Sequence, residues 1–184
     1  MNNDNIFFDI SKLKSCGKNV IIGKTVRIRN PEKVSIGNNV IIDDFTYISG
    51  EVEIGDYVHI GASSTLSASK SKITMKEFSG ISSGCRVYAG SSNYIKGCLD
   101  LPTIPEEFSF GSIFEEVCLN RFVLIGANTV ILPGTNLPEG IACGANLVLK
   151  KSIEYKEWTI ISEGRILPRR GKEKILSEIK KFYK

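Results

Sequence analysis

Aliphatic side chains recur along this chain every six residues. The series runs Ile22, Ile28, then Ile36, Ile42, Ile48, Ile54, Ile60 and Leu66, resumes at Met75, Ile81 and Val87, and resumes again at Leu119, Ile125, Ile131, Leu137, Cys143 and Leu149. Gly, Asp or another small residue often follows the aliphatic one, as at Gly23, Gly37, Asp43, Gly55, Gly61, Gly126 and Gly144. A second apolar or small residue usually stands four positions after it (Val26, Val40, Thr46, Val52, Val58, Ser64). A period of six fits neither an amphipathic helix nor a long alternating strand. It fits a chain that runs straight for a few residues, turns sharply and repeats, so that three hexads close one triangular coil of a solenoid. The glycines and aspartates then fall near corners, where unusual backbone angles are tolerated.

Within each short straight run, alternate side chains face opposite ways. Val58 and Ile60 face inward, so His59 faces outward. The same alternation turns Ile21, Ile41, Tyr47, Leu124, Val130 and Val148 outward. So many exposed aliphatics are better placed in a subunit interface than in water, and a closed cyclic oligomer would satisfy them. Counting hexads in threes puts His59 on one face with Ile21, Ile41, Gly80, Leu124 and Ala142. Gly80 then neighbours His59 and leaves space in which a ligand could lie.

Two segments break the period. Residues 88–117, with Tyr88, Tyr94, Phe108, Phe110 and Phe114, form a long protruding loop whose aromatics argue for order. It is expected to shape an acceptor pocket, with Ser92, Asn93 and Tyr94 as hydrogen-bonding candidates. In the tail, Ile175, Leu176, Ile179 and Phe182 have the spacing of an amphipathic helix, expected to cap the open end of the solenoid. The expected organisation is an N-terminal cap over 1–17, the solenoid over 18–154 and a C-terminal extension with the capping helix over 155–184.

Composition narrows the chemistry. In 184 residues, 42% are hydrophobic and 24% charged, which suits one packed domain. The apolar runs are too short for a membrane helix and the first residues show no secretion signal, so a cytoplasmic protein without membrane insertion is expected. The five cysteines are odd in number and lack a CxxC pair, which speaks against a disulfide framework or a cysteine zinc site. A net charge of +4, without a basic block interleaved with aromatics, gives no nucleic-acid signature. Lysines and arginines do gather from Lys150 to Lys174, either as a solvated face or to attract a phosphorylated small ligand. The single histidine excludes any mechanism that needs several imidazoles from one chain. Histidine's ordinary pKa, about 6.5, suits general-base work near neutral pH.

The hexads resemble the left-handed parallel β-helix of the hexapeptide-repeat acyltransferases, in the branch of bacterial sugar O- and N-acetyltransferases. The stretch VEIGDYVHIGASS looks like the histidine-bearing coil of those enzymes. The resemblance implies an all-β solenoid, left-handed although parallel crossovers are generally right-handed, a homotrimer, and His59 as catalytic base. Relatives acting on nucleotide-linked amino sugars often carry a further catalytic histidine nine residues earlier, where this chain has Gly50. Either His59 serves as the base, or none is used. The segment VLIGANTVILPGTNLPEGIACGANLVLKKSI is similar to the family's acetyl-CoA-binding run. It implies Gly126 and Ala127 along the pantetheine groove, and Ala145 and Lys150 towards the nucleotide end of the cofactor. Lys151 and Arg169 are expected as phosphate partners by charge. The family's closing turn corresponds to SEGRILPRR, around Arg169 and Arg170.

The expectation is therefore an acetyl-CoA-dependent acetyltransferase, without a metal, acting on a sugar or nucleotide-linked sugar in surface-polysaccharide synthesis. Hydroxyl and amine acceptors both remain open. A zinc hydrolyase on the same coil would need three histidines around its metal. A non-catalytic solenoid scaffold is the alternative from another class.

Overall fold

The computed structural model describes residues 8–183 apart from 96, 98, 106, 110, 164 and 170. Cys98, Phe110 and Arg170 therefore lie outside the described residues. The chain winds into a three-sided parallel β-solenoid of about seven turns. Every aliphatic residue of the six-residue series is buried, and together they form one continuous core along the axis.

Each turn contributes a short strand to each of three faces. The first face stacks Ser15–Cys16, Val34–Ile36, the ends of Tyr47–Ile54 and Thr65–Met75, then Val117–Leu119 and Asn136–Leu137. The second stacks Ile21–Ile22, Ile41–Ile42, His59–Ile60, Gly80–Ile81, Leu124–Ile125, Ala142–Cys143 and Thr159–Ser162. The third stacks Arg27–Ile28, the starts of Tyr47–Ile54 and Thr65–Met75, then Arg86–Tyr88, Val130–Ile131 and Val148–Leu149.

The extra residues between Leu66 and Met75 do not disturb this register. They project at the corner between third and first faces, where pairing skips between Ser49 and Glu51, so Ile54 still stacks on Met75. The long excursion leaves from the same corner. Its feet are an antiparallel pair, Gly90–Ser91 with Ile113–Phe114, and the chain re-enters at Val117–Leu119. Tyr88 and Val117, expected at its margins, are thus strand residues, and the projecting part runs from 92 to 112.

The C-terminal part differs from expectation in two ways. The solenoid does not stop at 154: Thr159–Ser162 adds a seventh strand to the second face and is itself covered by the antiparallel strand Arg165–Pro168. That returning strand covers the edge of the last turn. The helix Lys172–Phe182 runs back beside the solenoid, and Phe182 meets Tyr57 and Phe78 at centroid distances of 5.0 and 6.1 Å.

The corner between first and second faces carries an aromatic column. Tyr57, Phe78, Phe122 and Trp158 all have left-handed backbone angles (φ 58°, 59°, 61° and 54°). That conformation costs roughly 1–2 kcal/mol for a residue with a side chain. Ring contacts, stacked at 4.9 and 5.4 Å and tilted at 5.7 Å, offset it, at about 0.5–1.5 kcal/mol per pair beyond area burial. Phe122→Ala should lower the thermal midpoint by roughly 10 °C through lost burial. Phe122→Gly should be no less stable than the alanine variant, reversing the usual order because glycine relieves the backbone. Thermal melts of the two variants test this.

Candidate active site

His59 sits outward on the second face between buried Val58 and Ile60, paired with Ile41 on one side and Gly80 on the other. Leu124, Ala142 and Ile160 continue the outward row. The imidazole is half exposed, and its Nε2 lies 2.8 Å from Oδ2 of Asp43. A carboxylate only accepts, so in the neutral ring Nε2 carries the hydrogen and Nδ1 keeps its lone pair. Asp43 follows Ile42, which stacks on Ile60; the parallel register alone brings it to the histidine. A recess of about 410 Å³ opens on the Gly80 side of the imidazole, lined among others by Tyr57, His59, Phe78, Gly80, Ser83 and Leu124.

The corner between second and third faces leads to this recess. Gly61, Ser83, Gly126, Ala127, Gly144 and Ala145 lie along it, one turn above another. The turns are so close that a Cβ on Gly126 would meet the amide nitrogen of Ala145 at 2.6 Å, and one on Gly61 would meet that of Ser83 at 2.5 Å. Glycine is needed at both for close backbone approach. The N–H groups of Ser83, Ala127 and Ala145 have no hydrogen-bond partner among the described residues. An extended amide-bearing chain lying along this corner would find donors at a coil's spacing and end at His59. That fits pantetheine, so Gly126, Ala127 and Ala145 fall in one line with His59 and Gly80.

The remaining candidates lie elsewhere. Lys150 and Lys151 are one corner further on, between third and first faces. The Lys150 N–H donates to the Tyr155 hydroxyl, and Lys151 Nζ pairs with Glu115 at 2.6 and 2.7 Å. Arg169 stands at the aromatic corner, donating from Nη1 to the carbonyls of Phe122 and Gly140 over the Trp158 ring. Burial lowers its pKa from the usual arginine value. Within one copy, the expected phosphate partners and the pantetheine corner are therefore apart.

The excursion and the adjoining solenoid corner, Ser69 and Lys70, together line a pocket of about 640 Å³ with Leu101, Pro102, Ile104 and Phe114 on its apolar side. Asp100 organises it. Its carboxylate accepts from the hydroxyls of Ser112 and Ser109 and from the Asn93 N–H, which hold its pKa below the usual value, Ser112 most strongly. Ser92 donates its hydroxyl to the Asp100 carbonyl, while Tyr94 is largely exposed. Of the expected acceptor residues, Ser92 and Asn93 are thus held by Asp100, and Gly80 stands apart from them beside His59.

Sequence reasoning missed Asp43 and Asp100. Asp43 was visible only as a polar corner residue after Ile42; Asp100 is an isolated acid in a serine-rich stretch.

A parallel solenoid with a corner that can take a linear amide ligand, ending at an outward histidine–carboxylate pair, defines an acyl-transfer protein of the left-handed β-helix class. Residues 33–68 match the family described as bacterial transferase hexapeptide (six repeats). A dTDP-4-amino-4,6-dideoxy-D-glucose acyltransferase of Escherichia coli is 35% identical over 147 residues, spanning 77% of this chain and 74% of that protein. The structure of AntD, an N-acyltransferase from Bacillus cereus, in complex with dTDP and 3-hydroxybutyryl-CoA, superposes with a TM-score of 0.85. Its identity is 36%, over 95% of this chain and 94% of that one. A variant of AntD bound to dTDP-4-amino-4,6-dideoxyglucose and coenzyme A gives a TM-score of 0.81 at 35% identity, over 93% and 92% of the two chains. This chain belongs to the hexapeptide-repeat sugar acyltransferases.

Proposed function

We propose that the protein transfers an acyl group from an acyl-CoA to the amino group of a nucleotide-linked amino-deoxy sugar, in cytoplasmic synthesis of a surface polysaccharide. The observation that carries this is the His59–Asp43 pair at the end of the Ala145–Ala127–Ser83 corner. The likeness to proteins that act on dTDP-linked amino sugars supports the acceptor class. In the reaction, the amine nitrogen attacks the thioester carbonyl carbon. The carbon–sulfur bond breaks as the carbon–nitrogen bond forms, and the amine proton passes through the imidazole to the departing thiolate. Asp43 holds the ring in one tautomer while this happens.

The active unit is a homotrimer. In a three-sided coil, the corner that bears the excursion is opposite the face that bears His59, so the acceptor pocket and the base of one copy point away from each other. The outward row Ile21, Ile41 and Leu124, each about two-fifths exposed, needs covering. A neighbouring copy laid against it would bring its excursion to His59. It would also bring a lysine-bearing corner towards the end of the pantetheine line.

Release of free CoA from an acyl-CoA in the presence of dTDP-linked amino sugars, sugars lacking the amine, and no acceptor tests the proposal. Release is expected only with the amino sugar. CoA release that is indifferent to the amine would contradict it.

A further inference from the structure

The corner between second and third faces holds an aromatic ring that the fold does not use. Phe45, Ser63, Gly84, Asn128 and Asn146 occupy one position on successive turns, all with left-handed backbone angles (φ 61°, 59°, 75°, 58° and 59°). Their stacking is shown by the N–H of Ser63 donating to the Asp44 carbonyl and that of Gly84 to the Ala62 carbonyl, both at 2.9 Å. Glycine and asparagine tolerate this conformation; phenylalanine gains nothing from it. At the aromatic corner, Tyr57, Phe78, Phe122 and Trp158 offset the same cost through ring contacts. Phe45 has no ring contact among the described residues and is 69% exposed. Its backbone is nonetheless locked: the Phe45 N–H donates to Thr25 Oγ1 at 2.8 Å, and that hydroxyl donates to Asp44 Oδ1 at 2.7 Å. Strain kept without packing to offset it is characteristic of functional positions.

The place of the ring selects its ligand. Phe45 comes two residues after Asp43, whose carboxylate meets His59. The donor line Ala145–Ala127–Ser83 ends beside His59, and Phe45 continues the same corner one turn beyond the histidine, on the side away from the donor. One turn is about 4.8 Å, the scale of a single sugar ring. A group lying there while its amine meets the thioester belongs to the acceptor. We propose that Phe45 is the platform on which the acceptor's deoxy-sugar ring lies, its face against the hydrogen-bearing carbons and the methyl group of the sugar. The inference rests on the acyl-transfer reading above. Covering both apolar surfaces favours binding, and a ring so seated holds its amine in line with the thioester carbonyl.

The test is steady-state kinetics with acetyl- and butyryl-CoA as donors and dTDP-4-amino-4,6-dideoxyglucose as acceptor, in the wild type, Phe45→Asn and Phe45→Tyr. Free dTDP serves as a competing ligand that lacks the sugar. Phe45→Asn installs the residue that the same corner already carries at Asn128 and Asn146, so it should melt no lower than the wild type. It should raise the acceptor KM by roughly ten-fold or more, keep the acyl-CoA KM within about two-fold, and leave inhibition by dTDP unchanged. Phe45→Tyr, which keeps a ring, should hold the acceptor KM within about three-fold of wild type. An acceptor KM indifferent to Phe45→Asn would overturn the proposal. So would weaker inhibition by dTDP, which would put the ring under the base, or a raised acyl-CoA KM, which would put it under the donor. Loss of the oligomer in Phe45→Asn by light scattering would overturn it as well, since the ring would then be a contact between copies. A wild type that releases no CoA from either donor overturns the acyl-transfer reading itself, and the platform with it.

Discussion

His59→Ala is expected to lower kcat by roughly 100-fold or more while leaving the KM for acyl-CoA within about two-fold, the behaviour of a residue that moves a proton in the transition state. In the proposed binding line the donor would be held by the free corner amides of Ser83, Ala127 and Ala145, none of which depends on the imidazole. Asp43→Asn should cost less, about ten-fold in kcat, because the amide can still meet Nε2 but can also donate to it and so admit the wrong tautomer. Asp43→Glu should recover part of the loss. Nitrogen-15 shifts of the imidazole give a separate readout: the wild type should show Nε2 protonated in the neutral ring, and Asp43→Asn a mixture. If His59→Ala turns over at the wild-type rate, the imidazole is not the base.

Removing the excursion should have an effect of similar size by a different route. Its feet, Gly90–Ser91 and Ile113–Phe114, already pair antiparallel. Replacing residues 92–112 with Asn-Gly therefore closes a short hairpin without touching the coil. Val87 still stacks on Leu66, and Leu119 on Met75. The shortened protein should keep its thermal midpoint within a few degrees and still bind acyl-CoA. Amine-dependent CoA release should fall by roughly 100-fold, because substrate positioning is lost. Calorimetric titration with a non-hydrolysable acyl-CoA, beside the CoA-release assay, separates the two. Retained turnover would place the acceptor outside the excursion.

The repeat was legible because each hexad is a physical unit: one aliphatic residue must enter the core per side of the coil, and a break would leave a cavity. Even the juxtaposition of His59 and Gly80 could be counted across the extra residues near Ser69, since an insertion at a corner projects without shifting the strands. The end of the solenoid was hidden by Tyr155. It packs against the core in the slot where an aliphatic residue was expected, and the period continues through it to buried Ile161. Ala127 and Ala145 share a corner because they are three hexads apart. Lys150 is only five residues beyond Ala145 and so must fall near the next corner, which coil arithmetic alone could have shown. Arg169 lies after the chain reverses at Arg165–Pro168, where the hexads no longer place anything. The excursion was recognisable as ordered from its aromatics. The role of Asp100 depends on a non-repeating fold, for which no periodicity exists to be read.

Mixing two inactive variants tests most directly the claim that each active site joins His59 of one copy to the excursion of the next. His59→Ala and the shortened-excursion protein, unfolded together and refolded as mixed trimers, should regain activity that neither has alone, approaching about one quarter of wild type at equal proportions. Mixed trimers, verified by a mass tag on one partner, that remain as inactive as their parents would contradict the shared site.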